Sequence, residues 1–316
     1  MTDLLFATPG NPIPENAHAG ILKARDGKRL RFARFGASAR PLQGTVIILP
    51  GRNECIEKYF ETIGDLARRG LGSAILDWRG QGGSDRLIRD PQRGHIGDFQ
   101  IYLRDLEQFF EEVVLPDCRG PYYMLGHSTG SLIAIMAAPS MLNRIRRMVL
   151  VAPLISLHGL PLSPGSVSKL TSTLYWVGFG RSYFGGGKRP LAPLPFAGNK
   201  VTSDPIRYQR NVMIYEEQPA LAIGGPTVSW VRAMLRAAYQ IQQPAFRARI
   251  QIPMLFVAAG ADTIVSTPAI EAYARTLRSG AVITIDGSRH EILQEADLYR
   301  EQFLAAFDAF VPGTGE

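Results

Sequence analysis

The sequence predicts an α/β fold in which a mostly parallel central sheet is flanked by helices and interrupted by one long insertion. Short apolar runs alternate with helix-length amphipathic segments through the first half of the chain, an order that is typical of parallel strands joined by crossover helices. The alternation stops after Pro153 and resumes at Ile252. One α/β domain, divided by an inserted subdomain, accounts for both observations.

The individual elements follow from hydrophobic periodicity. A turn signal at Asp26-Gly27 predicts a hairpin of two short strands near the start of the chain. Apolar residues at helical spacing predict helices in 57–69, 99–114 and 297–310. Short continuous apolar runs predict buried strands at 45–49, 73–76, 122–125, 148–151, 252–258 and 281–285.

The domain boundaries follow from these elements. The predicted parts are a loose, proline-containing lead-in at 1–16, an α/β core at 17–153 and 245–316, and the insertion at 154–244. The insertion is rich in glycine, proline, serine and aromatic residues and shows no strand periodicity. Both of its ends adjoin strand ends, where open α/β sheets bind ligands. We therefore predict a mainly helical cap, or lid, over a site at these strand ends.

The composition excludes several classes of protein. The 316 residues are 46% hydrophobic and 20% charged, which is ordinary for a globular protein, and no apolar stretch is long enough for a membrane span. The net charge of +7 is typical of a solvated, slightly basic surface, and weak attraction to anionic membranes is the alternative reading. The scattered basic residues disfavour a nucleic-acid partner. The two cysteines fit neither a disulfide framework nor a metal site, and the N-terminus lacks a signal-peptide pattern. These features predict a cytoplasmic protein with reduced thiols.

One segment carries the pattern of a nucleophilic serine. Gly126-His127-Ser128-Thr129-Gly130 fits G-x-S-x-G, follows a predicted strand and precedes a helix-like run. In this context the serine occupies a sharp turn that lifts its hydroxyl above the sheet, and the flanking glycines avoid collisions with the neighbouring backbone. His127 is adjacent to the nucleophile, so we interpret it as a residue that supports the site from behind or packs against it, and not as the base.

The acid and the base should follow Ser128 in the order acid, then histidine. His290 lies in the loop after the last predicted strand, and Asp262 follows the preceding one. His158 comes before any candidate acid and is therefore a poor base. Asp286 is an alternative acid, as is Glu291, but each is too close to His290 in sequence to face its ring easily.

An oxyanion hole needs two backbone N–H donors near the serine. One is predicted at Thr129, the residue after the nucleophile. The other is predicted in the loop after the 45–49 strand, at Arg52, with Asn53 as the alternative.

These residues resemble a known family of enzymes. The monoglyceride lipase and bacterial lysophospholipase family of α/β-hydrolases carries similar motifs, and Pro50 favours the lysophospholipase branch because monoglyceride lipases usually have histidine there. Thr129 departs from the family, which usually has methionine at this position. The resemblance rests on Pro50-Gly51-Arg52, the Asp77–Ser84 run, Gly126-His127-Ser128, Gly260-Ala261-Asp262 and Gly287-Ser288-Arg289-His290-Glu291.

The resemblance implies an α/β-hydrolase fold and a serine hydrolase that cleaves carboxylic esters without a metal or an organic cofactor. Ser128 is the implied nucleophile, Asp262 the acid and His290 the base, with oxyanion donors at Arg52 and Thr129. The implied substrate is a lysophospholipid or a monoacylglycerol, and the implied role of the Asp77–Ser84 run is to brace the loop beside the serine.

The insertion offers candidates for substrate binding. Arg207 and Arg210 are the candidates for a phosphate head group, since the chain has a basic balance. The candidates for an acyl channel are Leu174, Tyr175, Trp176, Val177, Phe179, Tyr183, Phe184 and Trp230.

Two other readings of the sequence remain open. The first is a small-ester or aryl-ester carboxylesterase, or a peptidase of the same fold. The second is a non-catalytic binding protein that kept the fold. A complete serine, aspartate and histidine order disfavours the second reading, because pseudoenzymes commonly lose one member of the set. The sequence predicts no oligomeric state.

Overall fold

A computed structural model of the chain describes residues 4–159, 162–189 and 195–312. Its centre is a single sheet of eight strands in the order β1-β2-β4-β3-β5-β6-β7-β8. The strands are β1 (Ala17–Lys23), β2 (Arg29–Phe35), β3 (Gly44–Leu49), β4 (Leu71–Leu76), β5 (Tyr122–His127), β6 (Ile145–Val151), β7 (Met254–Ala259) and β8 (Gly280–Ile285).

The sheet is mostly parallel, as the sequence predicts. β2 is antiparallel to both of its neighbours, β1 and β4, and the pairs from β4 through β8 are parallel. The predicted hairpin at Asp26-Gly27 joins β1 to β2, and Gly27 adopts a φ of 84° in its turn. Because β3, β5 and β6 are central and covered on both faces, their residues form the near-continuous apolar runs that parallel strands require.

Helices cover both faces of the sheet. The helices are α1 (Phe60–Arg68), α2 (Gln100–Phe109), α3 (Leu115–Asp117), α4 (Thr129–Ala137), α5 (Pro164–Trp176), α6 (Pro205–Glu217), α7 (Val228–Ile241), α8 (Pro244–Arg247), α9 (Thr267–Ala274) and α10 (Asp297–Phe310). A π-helical turn at Phe110–Val114 joins α2 to α3. Apolar residues of α1 and α10 pack on one face of the sheet, and those of α2, α4 and α9 pack on the other.

The insertion leaves the sheet after β6 and returns before β7. Its described residues contain α5, α6 and α7 and contribute no strand to the sheet. The helix α7 packs against α4 of the core and α5 of the insertion, and the ring of Trp230 lies 5.7 Å from that of Phe99. Residues 160–161 and 190–194 of the insertion lie outside the described residues.

The lead-in is held against the core, contrary to the prediction of a loose segment. Leu5 is buried in the apolar cluster beneath α1 and α10, and the side chain of Asn11 donates a hydrogen bond to the carbonyl of Glu57 at 2.9 Å. Residues 1–3 lie outside the described residues. The described residues of this segment form no helix or strand, but they still pack on the core.

Candidate active site

Ser128 occupies a strained turn between β5 and α4. Its φ of 51° and ψ of −113° place a non-glycine residue in left-handed space, which costs on the order of 1–3 kcal/mol and is common at active sites. A Cβ on Gly130 would lie 1.9 Å from the carbonyl oxygen of Leu49, and one on Gly126 would lie 2.8 Å from Ser131 Cα. Both glycines of the motif are therefore required by close backbone approach.

Ser128, His290 and Asp262 form a continuous chain of contacts. His290 Nε2 lies 3.1 Å from Ser128 Oγ, and His290 Nδ1 lies 2.7 Å from Asp262 Oδ2. All three side chains are largely buried, with 9% of Ser128, 5% of His290 and 6% of Asp262 exposed. A nucleophile in contact with a base, which in turn contacts a buried carboxylate, is the arrangement of a serine hydrolase triad.

The environment of Asp262 keeps its carboxylate charged. Burial favours the neutral form, but the hydrogen bond from His290 and the backbone N–H groups of Val265 and Ile264 outweigh it and lower the pKa of Asp262. These two N–H groups bind Oδ1 at 3.0 and 2.7 Å, which leaves Oδ2 for the imidazole. The carboxylate is therefore fixed in the orientation that a histidine base requires.

The alternative acids and the alternative base lie elsewhere. Asp286 is exposed, and its carboxylate accepts a hydrogen bond from the N–H of Gly287. Glu291 instead pairs with Lys58, at 2.6 Å. His158 is exposed at the start of the insertion. The structure therefore brings together the three residues that the sequence argument put first.

Of the two candidate oxyanion donors in the loop after β3, one has a backbone N–H without an acceptor in the described chain. The carboxylate of Glu54 accepts a hydrogen bond from the N–H of Gly51, and Gln81 Oε1 accepts one from the N–H of Asn53 at 3.3 Å. The N–H of Arg52 lies between them and has no acceptor within the described part of the chain. Asn53, the alternative oxyanion donor, is thus already engaged, and Arg52 is the better candidate.

Two residues of the 77–84 run hold this loop in place. Trp78 Nε1 donates to the carbonyl of Pro50 at 2.9 Å, and Gln81 Nε2 donates to the carbonyl of Gly51 at 2.8 Å. Thr129 is the first residue of α4, so its N–H has no partner within the helix. Two unsatisfied N–H groups therefore flank Ser128, and the positive end of the α4 dipole adds to their field.

A buried polar network that the sequence argument missed lies behind Ser128. Glu54 accepts hydrogen bonds from Lys58 Nζ at 2.8 Å and from Tyr59 Oη at 2.6 Å, and it lies 3.0 Å from His127 Nδ1. The other ring nitrogen of His127 lies 3.2 Å from the carbonyl oxygen of His290. The carboxylate of Glu54 thus connects three segments. They are the loop after β3 (residues 50–54, the oxyanion loop), the turn at Ser128 and the loop that carries His290.

The network carries balanced charge. Burial alone would raise the pKa of Glu54. The opposing effect of His127 and Lys58 is larger and lowers this pKa well below its usual range, so the carboxylate stays ionised. Burial lowers the pKa of His127, and the charge of Glu54 raises it overall. Both ring nitrogens of His127 face acceptors, which requires a proton on each. His127 is therefore a charged positioning residue, which is the supporting role that the sequence argument named beside simple packing.

We expect Glu54→Gln to impair both stability and activity. The neutral amide leaves Lys58 and His127 without their shared counter-charge, and breaking a buried ion pair costs about 3–5 kcal/mol of unfolding free energy. Displacement of the oxyanion loop should lower kcat/KM by about a hundredfold. Denaturant unfolding and ester hydrolysis check both effects.

Glu111→Gln, which breaks an exposed ion pair with Arg25, is the control for Glu54→Gln and should change stability and activity little. Equal behaviour of the two variants would contradict the positioning role.

A cavity of about 500 Å³ opens above Ser128 between the core and the insertion. Its polar floor contains Ser128, His290 and the oxyanion loop, and its roof is apolar. The residues of the insertion that line it are Leu154, Leu157, Val167, Phe184, Val201, Pro226, Trp230, Val231, Met234 and Leu235. Of the predicted acyl-channel residues, Phe184 and Trp230 therefore face the cavity.

The other six predicted acyl-channel residues lie outside the cavity lining, namely Leu174, Tyr175, Trp176, Val177, Phe179 and Tyr183. Trp176 is 76% exposed and Phe179 is 55% exposed, both on the outer surface of the insertion. Tyr183 packs against the guanidinium of Arg93, 5.0 Å from its ring centre. These predictions were wrong because the insertion shows no periodicity from which its inward-facing side chains could be identified.

The prediction that Arg207 and Arg210 bind a head group was also wrong. Both guanidinium groups pair with Glu61 of α1, each at 2.6 Å, and Arg207 also pairs with Asp297 at 2.7 Å. These contacts fasten α6 of the insertion to α1 and α10 of the core. The two arginines lie outside the residues that line the cavity and their charges are already balanced.

The sequence matches known enzymes over most of its length. A family model described as "Serine aminopeptidase, S33" matches residues 40–297. Lysophospholipase L2 of Escherichia coli (strain K12) is 32% identical over 292 residues, which span 89% of this chain and 83% of that protein. Probable lysophospholipase L2 of Haemophilus influenzae is 30% identical over 95% of this chain and 94% of its own. Monoglyceride lipase of Rattus norvegicus is 25% identical over 239 residues, which span 76% of this chain and 71% of that protein.

Solved structures share the fold. A soluble variant of monoglyceride lipase from Saccharomyces cerevisiae superposes with a TM-score of 0.74 at 18% identity and covers 98% of this chain and 97% of its own. A thermostable carboxyl esterase from Bacillus coagulans superposes with a TM-score of 0.75 at 18% identity, and the match covers 94% of this chain and 98% of the esterase. The predicted α/β-hydrolase fold is confirmed. The chain belongs to the serine aminopeptidase family of α/β-hydrolases, and within it to the lysophospholipase and monoglyceride lipase group of serine ester hydrolases.

Proposed function

We propose that Ser128 attacks the carbonyl carbon of a single-chain lipid ester, with His290 as general base and Asp262 as the residue that orients the imidazole. The observation that carries this proposal is the unbroken contact from Ser128 Oγ through His290 to Asp262 at the floor of an apolar cavity. His290 takes the serine proton and then passes it to the leaving alcohol. Water attacks the acyl-enzyme in the second half of the reaction, with His290 again as base.

The oxyanion of each tetrahedral intermediate is held by the N–H groups of Arg52 and Thr129. Support for this assignment comes from their lack of acceptors and from the rigid bracing of the loop by Trp78 and Gln81. Donors that are fixed before the reaction stabilise developing charge without reorganisation, which is why they contribute several kcal/mol to catalysis.

The roof of the cavity suits one acyl chain. Apolar side chains from both α5 and α7 contribute to it, among them Val167 and Met234, and burial of each methylene contributes about 0.8 kcal/mol. We propose a lysophospholipid as the substrate, with a monoacylglycerol as the next candidate. The names of the relatives support both.

The test is hydrolysis of a matched panel. Lysophosphatidylcholine, lysophosphatidylethanolamine, monoacylglycerol and nitrophenyl esters should be compared over acyl lengths of about four to sixteen carbons, below their micelle-forming concentrations. We expect kcat/KM to rise with chain length, by up to about fourfold per methylene, until the cavity is filled. A preference for the shortest esters would instead favour the carboxylesterase reading, and faster cleavage of a peptide anilide would favour the peptidase reading.

We further propose that the outer surface of the insertion binds anionic membranes. No aspartate or glutamate occurs between Leu154 and Ser203, whereas five lysines and arginines do. Trp176, Val177 and Phe179 are exposed beside them, and exposed aromatics next to basic side chains are typical of interfacial binding. Within the described residues, none of the helices is both long and apolar enough to cross a bilayer. Both cysteines are free, which supports a cytoplasmic location.

Vesicle co-sedimentation tests the membrane proposal. We expect vesicles that contain phosphatidylglycerol to bind the protein more tightly than vesicles of phosphatidylcholine alone, and Trp176→Ser with Phe179→Ser to weaken that binding. Leu298→Ser is the matched control, since Leu298 is 69% exposed on α10, outside the insertion. Equal binding of the double variant and the control would contradict the proposed surface.

A further inference from the structure

The side chain of Arg52 brings an unbalanced positive charge into the cavity above Ser128. Arg52 lines that cavity, and its guanidinium lies over the ring of Trp230, 5.5 Å from the ring centre. One nitrogen, Nη2, donates to the carbonyl oxygen of Gly224. The Nε–H is buried and has no acceptor among the described residues.

The arginines that are more deeply buried than Arg52 in the described chain are paired with carboxylates. Arg31 contacts Glu57 and Asp77, and Arg79 contacts Asp105. Arg52 has only the neutral carbonyl of Gly224, and burial lowers its pKa to about 10. It therefore remains protonated at neutral pH. A buried cation without a counter-charge costs folding free energy, which is typical of residues retained for binding.

The other charged side chains that line the cavity have partners of opposite charge. Lys58 lies between Glu54 and Glu291, Glu54 also contacts His127, and His290 contacts Asp262. Among the charged side chains that line the cavity, Arg52 is therefore the one without an ion-pair partner in the described chain. A ligand that complements this cavity is apolar over most of its length and carries one anionic group close to the ester.

A glycerophospholipid with one acyl chain has this pattern. Its phosphate is separated from its ester carbonyl by one glycerol unit, a spacing comparable with the length of an arginine side chain. The backbone N–H of Arg52 is the proposed oxyanion donor, so the carbonyl and the phosphate would be bound by the two ends of one residue. Guanidinium groups also bind phosphate oxygens through paired hydrogen bonds. The contact with the Trp230 ring restrains the Arg52 guanidinium in its position.

We propose that the guanidinium of Arg52 binds the phosphate of a lysophospholipid substrate and selects it over the uncharged monoacylglycerol. This inference rests on the proposed function and names the head-group chemistry that the same cavity accepts. Arg52 thereby takes the role that the sequence argument assigned to Arg207 and Arg210. The backbone donor is unaffected by replacement of the side chain, so the two roles of the residue can be tested separately.

The experiment compares Arg52→Gln, Arg52→Lys and the unaltered protein on lauroyl lysophosphatidylglycerol and monolauroylglycerol. These substrates share an acyl chain and differ in the phosphate. We expect the ratio of their kcat/KM values to fall at least about tenfold in Arg52→Gln and to be partly restored in Arg52→Lys. A merely structural role would lower both values together and leave the ratio unchanged, and an unchanged ratio would overturn the inference. Arg275→Gln, on the exposed surface, controls for the change in net charge.

A binding measurement separates this inference from the proposed function. In the Ser128→Ala background, we expect Arg52→Gln to weaken binding of lauroyl lysophosphatidylglycerol but not of monolauroylglycerol. If the unaltered protein hydrolyses neither ester while this discrimination persists, the proposed function fails and the phosphate site stands. If binding of both lipids is equally affected, the phosphate site fails. Competition by inorganic phosphate distinguishes a site for the free ion from one that requires the lipid.

Discussion

Ser128→Ala is expected to lower ester hydrolysis by about a millionfold while leaving the fold intact. No other hydroxyl among the described residues contacts His290, so nothing replaces the lost nucleophile. The small side chain also fits the strained turn, whose close contacts involve Gly126 and Gly130 and not Ser128. The measurements are single-turnover hydrolysis, labelling by a fluorophosphonate probe and the thermal unfolding temperature.

Ser140→Ala provides the control for this variant. Its hydroxyl donates to the carbonyl of Ala137 at the far end of α4, and we expect full activity and full labelling. Near-normal turnover by Ser128→Ala would assign the nucleophile to another residue. Failure of the unaltered protein to react with the probe would instead favour the non-catalytic binding protein.

Asp262→Asn is expected to reduce kcat by about ten-thousandfold without unfolding the protein. The amide oxygen can still accept from Ile264 and Val265, which turns the NH₂ group toward His290 Nδ1. That nitrogen must then act as an acceptor, and the tautomer with the proton on Nε2 cannot accept the proton of Ser128. The reduction should appear in kcat at saturating ester, because the cavity that binds the acyl chain is unchanged.

Asp286→Asn is the matched control for the acid. Asp286 is exposed, and its carboxylate accepts a hydrogen bond from the N–H of Gly287, so the activity of this variant should be unchanged. An inactive Asp286→Asn beside an active Asp262→Asn would move the acid to position 286 and would require a different position of the His290 loop.

The central strands of the sheet were predictable because they are buried on both faces. The run at 122–125 predicts β5 (Tyr122–His127), and the run at 252–258 predicts β7 (Met254–Ala259). Such runs are continuous and apolar in the sequence itself. The positions of Ser128, Asp262 and His290 were predictable for a related reason. Each follows a recognisable strand, and parallel strands bring their ends to one edge of the sheet.

The inward face of the insertion and the buried network were not predictable in this way. Whether Trp230 or Trp176 faces the cavity depends on how α5 and α7 pack, and neither environment leaves a periodic signal. Charged residues such as Glu54 and Lys58 are expected on the surface. They are buried here only because partners distant in the sequence, such as Glu291, balance them. The four-residue spacing of Glu54 and Lys58 beside the Pro50-Gly51 loop was the available signal.

The separation of the triad along the chain has a consequence for folding. Ser128 and His290 are 162 residues apart, and the insertion lies between the strands that precede them. His290 reaches the serine only after β7 has paired with β6 and β8 with β7. Contacts between such distant segments form slowly, because long loops must close first. During refolding, the return of reactivity toward the fluorophosphonate probe would therefore report the arrival of the last two strands, and not the collapse of the amino-terminal half of the sheet.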